Sequence, residues 1–200
     1  MRDRHEARSG AGRPLDGWGR RQRGTALIEF ALVLPLILIL VLATVDLGHL
    51  IQTRLIITNV SREGGSVASR SSSIDSDLIN LLKLSGSPLA LAGPDGRMYI
   101  TRITAGKSDQ APAPAVTTQI TGGSLSTASR YKSSDRNLGL TQNLYNRLVF
   151  NSNNGTADIS EVTVVEIYYK YRPITPLSNF IPGLLRRDGD GMIISSKAVF

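Results

Sequence analysis

The sequence predicts an α+β protein: a long N-terminal transmembrane helix followed by a small antiparallel β-sheet domain with short helices. Three observations predict it. Phe30 to Ala43 is a run of fourteen residues with no polar side chain. Val162–Tyr171 alternates in the two-residue period of a strand, with Val165, Ile167, Tyr169 and Tyr171 on one face and Val164, Glu166, Tyr168 and Lys170 on the other. Between these segments, turn signals such as Pro94-Asp95-Gly96 cut the chain into short pieces, as an antiparallel sheet requires.

Residues 1–24 form a polar, Arg- and Gly-rich leader without apolar periodicity, read as disordered and cytoplasmic. The transmembrane segment is 25–45. At 1.5 Å per residue it spans about 31 Å, enough for a hydrocarbon core of about 30 Å. Orientation follows the flanking basic residues. Arg2, Arg4, Arg8, Arg13, Arg20, Arg21 and Arg23 precede the span, whereas the other end starts with Asp46 and meets its first positive charge at Arg54. The N-terminus therefore stays in the cytoplasm and the remainder lies outside. Pro35 falls inside the span and predicts a kink. Residues 46–70 extend the helix, with apolar Leu47, Leu50, Ile51, Leu55, Ile57 and Val60 at three-to-four spacing. Gly64-Gly65 weakens it by about 1 kcal/mol each relative to alanine, so the helix ends there or runs on to about Arg70.

The extracytoplasmic domain is 71–200. Ser71-Ser72-Ser73 is a hinge, and Asp75–Leu84 is a short helix with Ile74, Leu78, Leu81 and Leu82 on one side, stopped by Gly86 and Pro88. Arg97–Thr104 is a strand, and Val116–Ile120 is a short return strand after a Pro-containing loop. Residues 121–136 are Ser/Gly-rich and read as exposed. Leu140, Leu144 and Leu148 step by four, which predicts a short amphipathic helix. After Val162–Tyr171, residues 174–187 form a Pro-containing loop. Asp188-Gly189-Asp190-Gly191 then turns the chain into a last strand, Met192–Phe200.

Composition excludes several function classes. The net charge is +7 from 23 basic and 16 acidic residues. Residues 1–24 hold seven basic and three acidic residues, so the leader supplies +4 and the rest +3. The basic balance is thus largely a topology signal. No basic cluster with interleaved aromatics marks a nucleic-acid surface outside the leader. The chain has no cysteine, which removes disulfides and thiolate metal sites and suits an exported bacterial domain. Its two histidines, His5 and His49, fall in the leader and at the outer membrane edge, so no Ser-His-Asp set assembles outside. Gly106-Lys107-Ser108 lacks the earlier glycine of a phosphate-binding loop, because Thr101 stands there. A calcium loop starting at Asp188 would want an acid at 199, which is Val199. Asn154 heads a glycosylation acceptor that matters only in a eukaryotic secretory context. No catalytic residue, metal site or cofactor is expected.

One carboxylate does not fit an inert anchor. Glu29 lies four residues into the span, where an acidic side chain costs up to about 2.5–3.5 kcal/mol at the helix centre and less toward the ends. Either it snorkels to the inner interface, or it has a charged partner. The order Arg23, Gly24, Thr25, Glu29, Phe30 resembles the processing site of type IV pilin-like proteins, which implies cleavage between Gly24 and Thr25 by a membrane aspartyl peptidase on the cytoplasmic side. The new ammonium on Thr25 would then be neutralised by Glu29 of a neighbouring subunit, offsetting a burial cost of several kcal/mol per ion. The similarity continues through the segment Arg23 to Pro35 (RGTALIEFALVLP), Asp46-Leu47-Gly48 and the segment Asn59 to Gly64 (NVSREG). It reappears more loosely in Glu166 to Pro173 and in Lys197-Ala198. Together these resemble the TadE-like family, pseudopilins of the tight-adherence (Flp pilus) machinery. Gly65 and the polar stretch 121–160 depart from the pattern.

The resemblance implies a pilin-like, single-pass protein of the bacterial cytoplasmic (inner) membrane with no catalytic activity, needed for pilus biogenesis, adherence and biofilm formation. Its implied partners are a prepilin peptidase, other pilin-like subunits, the tight-adherence inner-membrane platform and membrane lipid. It is either part of the filament or part of its base. The competing reading is a secreted or signal-anchored extracytoplasmic binding protein outside any pilus. That reading needs a small-x-small cleavage site after the apolar run, for which Ala43-Thr44-Val45 and Val45-Asp46-Leu47 are poor candidates.

Overall fold

The structure, a computed structural model, describes residues 18–176 and 191–200. Two compact units divide the chain between Thr44 and Val45. Helix α1, Trp18–Arg70, contributes to both. It begins seven residues before Thr25, so residues 18–24, expected in an unstructured leader, are helical instead. Residues 1–17 lie outside the described residues.

In the first unit, the side chains from Gly24 to Val41 are all exposed, including Leu27, Phe30, Leu32 and Leu36. Thr44 returns its hydroxyl to the Leu40 carbonyl at 2.8 Å, which removes a polar group from the apolar surface. The α1 segment from Gly24 is the one helix among the described residues long and apolar enough to cross a membrane, with none of its most apolar window buried by protein. An all-round apolar surface of this kind belongs in lipid or against other helices. The helix runs on through Pro35.

The second unit packs the rest of α1 and helix α2, Ser76–Ser85, on one face of a four-stranded antiparallel sheet. The strands are β1, Gly96–Thr104; β2, Ala115–Gly123; β3, Glu161–Tyr171; and β4, Met192–Val199. Their order is β2-β1-β3-β4. Asp75 caps α2: its Oδ1 accepts from the amides of Asp77 and Leu78 at 3.1 and 3.3 Å. Ile79 joins Leu78 and Leu82 inside, while Leu81, expected inside, is exposed. The face toward the helices holds Met98, Ile100, Val165 and Ile167 against Ile57, Val60, Ala68 and Leu82.

The opposite face is not solvated. The segment after β2, expected to be exposed, folds back over it. Leu125 packs with Tyr99 and Tyr168. Tyr131, Leu138, Leu140 and Leu148 cover Ile103, Val162 and Val164. Leu148 ends α3, Gln142–Leu148, the helix expected from the four-residue leucine step. Serine and glycine are frequent in its first part, 121–136, but the large apolar side chains Leu125, Tyr131, Leu138, Leu140 and Leu148 are buried.

Candidate functional site

The residues singled out as a processing and pairing site all lie on α1 in the first unit. A Cβ added at Gly24 would meet nothing within 4 Å. Glycine costs about 1 kcal/mol against alanine inside a helix, and no close approach in this chain demands it at that point. Glu29 lies exposed one turn beyond Thr25. Positions four apart share a helix face, and helical side chains lean toward the N-terminus, so Glu29 reaches back over the backbone at Thr25. Pro35 stands a further turn and a half along the same helix.

Beyond the span, α1 is fastened to the sheet at three points that the sequence reading did not single out as contacts. The first is Asp46, fully buried. Its Oδ1 accepts from the amides of Ile174 and Thr175 at 3.0 and 2.9 Å, and its Oδ2 from the Thr175 hydroxyl at 2.5 Å. The Tyr171 hydroxyl donates to the Asp46 carbonyl at 2.8 Å, and the His49 ring lies 5.4 Å from that of Tyr171. Burial, then the nearby Asp46 charge, pushes the Tyr171 phenol up. The second point is Ser61, whose hydroxyl meets that of Ser196 in β4 at 2.8 Å. The third is Arg102 in β1. Its guanidinium donates to the carbonyls of Ala68, Ser71 and Ser72 at 2.9, 2.6 and 2.9 Å, where the helix has run out of partners for them.

These fastenings explain which face of α1 turns inward. The buried positions are Asp46, Thr53, Ile57, Val60, Ser61, Gly64, Gly65 and Ala68, a stripe of mostly small or polar residues. A Cβ on Gly64 would come within 2.4 Å of Leu82, and one on Gly65 within 2.3 Å of the Phe200 ring. The two glycines therefore admit α2 and Phe200 to close packing, and the helix continues through them. Leu47, Ile51 and Leu55, which share the three-to-four spacing with Ile57 and Val60, are 54%, 52% and 59% exposed. They form a separate apolar stripe with no cover among the described residues.

On the far face of the sheet, Glu166 is a second buried carboxylate, 2% exposed. It accepts from the Ser129 hydroxyl, the Arg130 amide at 3.2 Å and the Tyr168 hydroxyl at 2.8 Å. Burial, then this hydrogen bond, holds the Tyr168 phenol far above its ordinary range. With three donors from the chain itself, Glu166 ties the cover to the sheet. Tyr168 stands edge-on to Tyr99 at 6.3 Å, so the tyrosines of β3 pack rather than form a sticky surface.

The weaker motifs resolve in the same way. The amides of Gly106 and Lys107 donate to the carbonyls of Leu148 and Ala111 and are not offered to a phosphate. A Cβ on Gly106 would collide with the Pro112 backbone, which is reason enough for that glycine. Among the described residues no group of three or more His, Cys, Asp or Glu could hold a metal ion. Asp188 to Asp190 lie outside the described residues.

Residues 24–66 match the family model of TadE-like proteins. The match opens on Gly24, takes in Glu29, Pro35 and Asp46, and closes just after the Gly64-Gly65 pair. No curated protein and no solved structure matches the chain.

Proposed function

We propose that this chain is a pseudopilin, a minor pilin-like structural component for assembly of Flp or type IVb-like pili by the tight-adherence machinery. In this reading it is anchored in the cytoplasmic membrane with residue 1 inside and the sheet outside. A prepilin peptidase cuts it between Gly24 and Thr25. The observation that carries the reading is a TadE-like match that begins at a glycine the fold does not need. Two further features support it. The exposed stripe of Leu47, Ile51 and Leu55 continues an apolar helix surface past the span, as docking against other pilin-like helices and the inner-membrane platform would require. Both carboxylates buried in the second unit among the described residues, Asp46 and Glu166, accept from the chain's own donors, as befits a structural part.

The test is the mature N-terminus. Intact mass from cells that hold the matching peptidase is expected to show a chain starting at Thr25. Gly24→Phe is expected to leave the full-length chain, because the cut requires a small residue and the substitution disturbs no packing. A mature N-terminus near residue 46 would indicate signal peptidase and a secreted protein instead.

A further inference from the structure

Both edges of the sheet are bare among the described residues, and their polarity matches. The amide of Thr163 donates to the Phe200 carbonyl at 2.8 Å, and the amide of Phe200 donates back to Thr163 at 2.9 Å. This reciprocal pair fixes the alternation along the antiparallel ladder. Met192, Ile194, Ser196 and Ala198 turn their backbone toward β3, so Ile193, Ser195, Lys197 and Val199 turn theirs away from it. The same alternation carried through β3 and β1 leaves Gln119 and Thr121 of β2 facing away from β1, while the register skips Thr117. All six of these outward-facing residues are exposed.

Exposed edges are normally blunted by charge, proline or bulges. Here β4 carries one lysine and β2 carries no charge at all. The one irregularity of β2 lies near its start, opposite Arg102 and Ile103.

We propose that the β4 edge of one copy of this chain pairs with the β2 edge of the next, extending the sheet from subunit to subunit. The strand directions require this choice of edge. In an all-antiparallel sheet of four strands, β2 and β4 run opposite ways. A copy displaced sideways therefore presents β2 antiparallel to β4 without any rotation. Within the second unit, α1 lies along the strands, with Asp46 by Tyr171, Ser61 by Ser196 and Ala68 by Arg102. A two-fold pairing of β4 with β4 has its axis normal to the sheet and would reverse α1 between the copies. Chains inserted in one membrane with the same topology cannot do that, whereas the sideways repeat keeps every α1 parallel. This step rests on the membrane-span reading but not on processing.

Side chains agree with the pairing. Aligning Ser195 with Gln119 sets Ile193 beside Thr121 and brings Lys197 to the irregular start of β2. No like charges meet, and these side chains share the sheet face away from α1. The contact is heterologous, so it builds an open row, not a closed dimer.

The native chain has no cysteine, which makes the test clean. Ser195→Cys and Thr121→Cys are placed on two differently tagged full-length copies and co-expressed. Membranes are then treated with a thiol–thiol reagent of about 10 Å reach, long enough to span the diagonal between Ser195 and Thr121, two residues or about 7 Å along the strands. Carbonate extraction confirms insertion, and intact mass scores the N-terminus in the same sample. The expected result is a mixed-tag dimer that forms when both cysteines are present. A Ser195→Cys copy linking to itself would mean two-fold pairing and overturn the proposal. So would the absence of any link between inserted copies. Lys197→Pro, added to the Ser195→Cys copy, removes an outward N–H that the fold does not use and is expected to cut the mixed dimer at least tenfold while leaving the protein inserted. An unchanged yield would overturn the proposal. A linked but uncut chain would refute the peptidase reading alone; a cut but unlinked chain would refute the edge pairing alone.

Discussion

Glu29 and Asp46 are two carboxylates on one helix with opposite surroundings. Asp46 is enclosed by donors from its own chain, whereas Glu29 is exposed on a surface whose neighbours are apolar. An acid there gains most from a cation supplied when another subunit arrives. If Glu29 balances the Thr25 ammonium made by cleavage, Glu29→Ala leaves that charge stranded in a dry contact, at about 3–5 kcal/mol. At roughly tenfold per 1.4 kcal/mol, assembly should fall by about two to three orders of magnitude while cleavage stays normal. Glu29→Gln should behave alike, since it keeps the shape without the charge. Pilus surface yield, or co-purification with pilin-like partners, reads the effect in cells whose processing is verified by mass. Undiminished assembly would show that Glu29 only snorkels.

The C-terminal end of α1 depends on a strand residue. Arg102 reaches three carbonyls at the helix terminus and sits 3.8 Å from Glu161, itself partly exposed. Arg102→Met keeps the stem but removes the guanidinium, and should destabilise the full-length protein by about 2–4 kcal/mol in denaturant unfolding. Arg102→Lys should recover part of this, since an ammonium can satisfy some of the carbonyls but not the fork of three. Equal stability of Arg102→Met and the parent would show that water caps the helix equally well. The same contact marks the limit of what the sequence discloses. The strands at Arg97–Thr104 and Val162–Tyr171 follow from alternation, and α2 from its apolar spacing and its stop at Gly86 and Pro88. The inward face of α1 could not be read from spacing, because Asp46, Ser61 and Gly64-Gly65 are not apolar and face inward for hydrogen bonds and close approach. The cover over the far face was hidden for a related reason. Leu125 and Tyr131 are the large apolar side chains of 121–136, and Ser129 acquires its role only by meeting Glu166, far away in sequence. Gly24, Thr25, Glu29 and Pro35 are read as a motif from the sequence alone; all four lie exposed on α1, and the TadE-like match opens at the first of them.

At the scale of the molecule, two cores share one sheet, and buried phenols link the sheet to both layers. Tyr171 joins β3 to α1 on one face; Tyr168 and Tyr131 lie beside Glu166 on the other. Burial raises all three phenols, Glu166 raises Tyr168 and Tyr131 further, and Asp46 does so for Tyr171. The unfolded chain ionises its tyrosines near pH 10, whereas the folded chain holds these protons more tightly. Above pH 10 the folded state therefore binds more protons than the unfolded one. Stability should be level below that pH and fall as pH rises through it, by up to about 1.4 kcal/mol per pH unit for each phenol. Denaturant unfolding of the full-length protein in mild detergent, from pH 8 to pH 11, measures the slope. Tyr168→Phe removes one titrating group and one donor to Glu166. It should be less stable than the parent at pH 8, by about 1–2 kcal/mol, yet lose stability less steeply above pH 10. Parallel curves for the two proteins would mean that Tyr168 ionises as easily folded as unfolded, and equal stability at pH 8 would mean that the hydrogen bond to Glu166 does not hold the cover on the sheet.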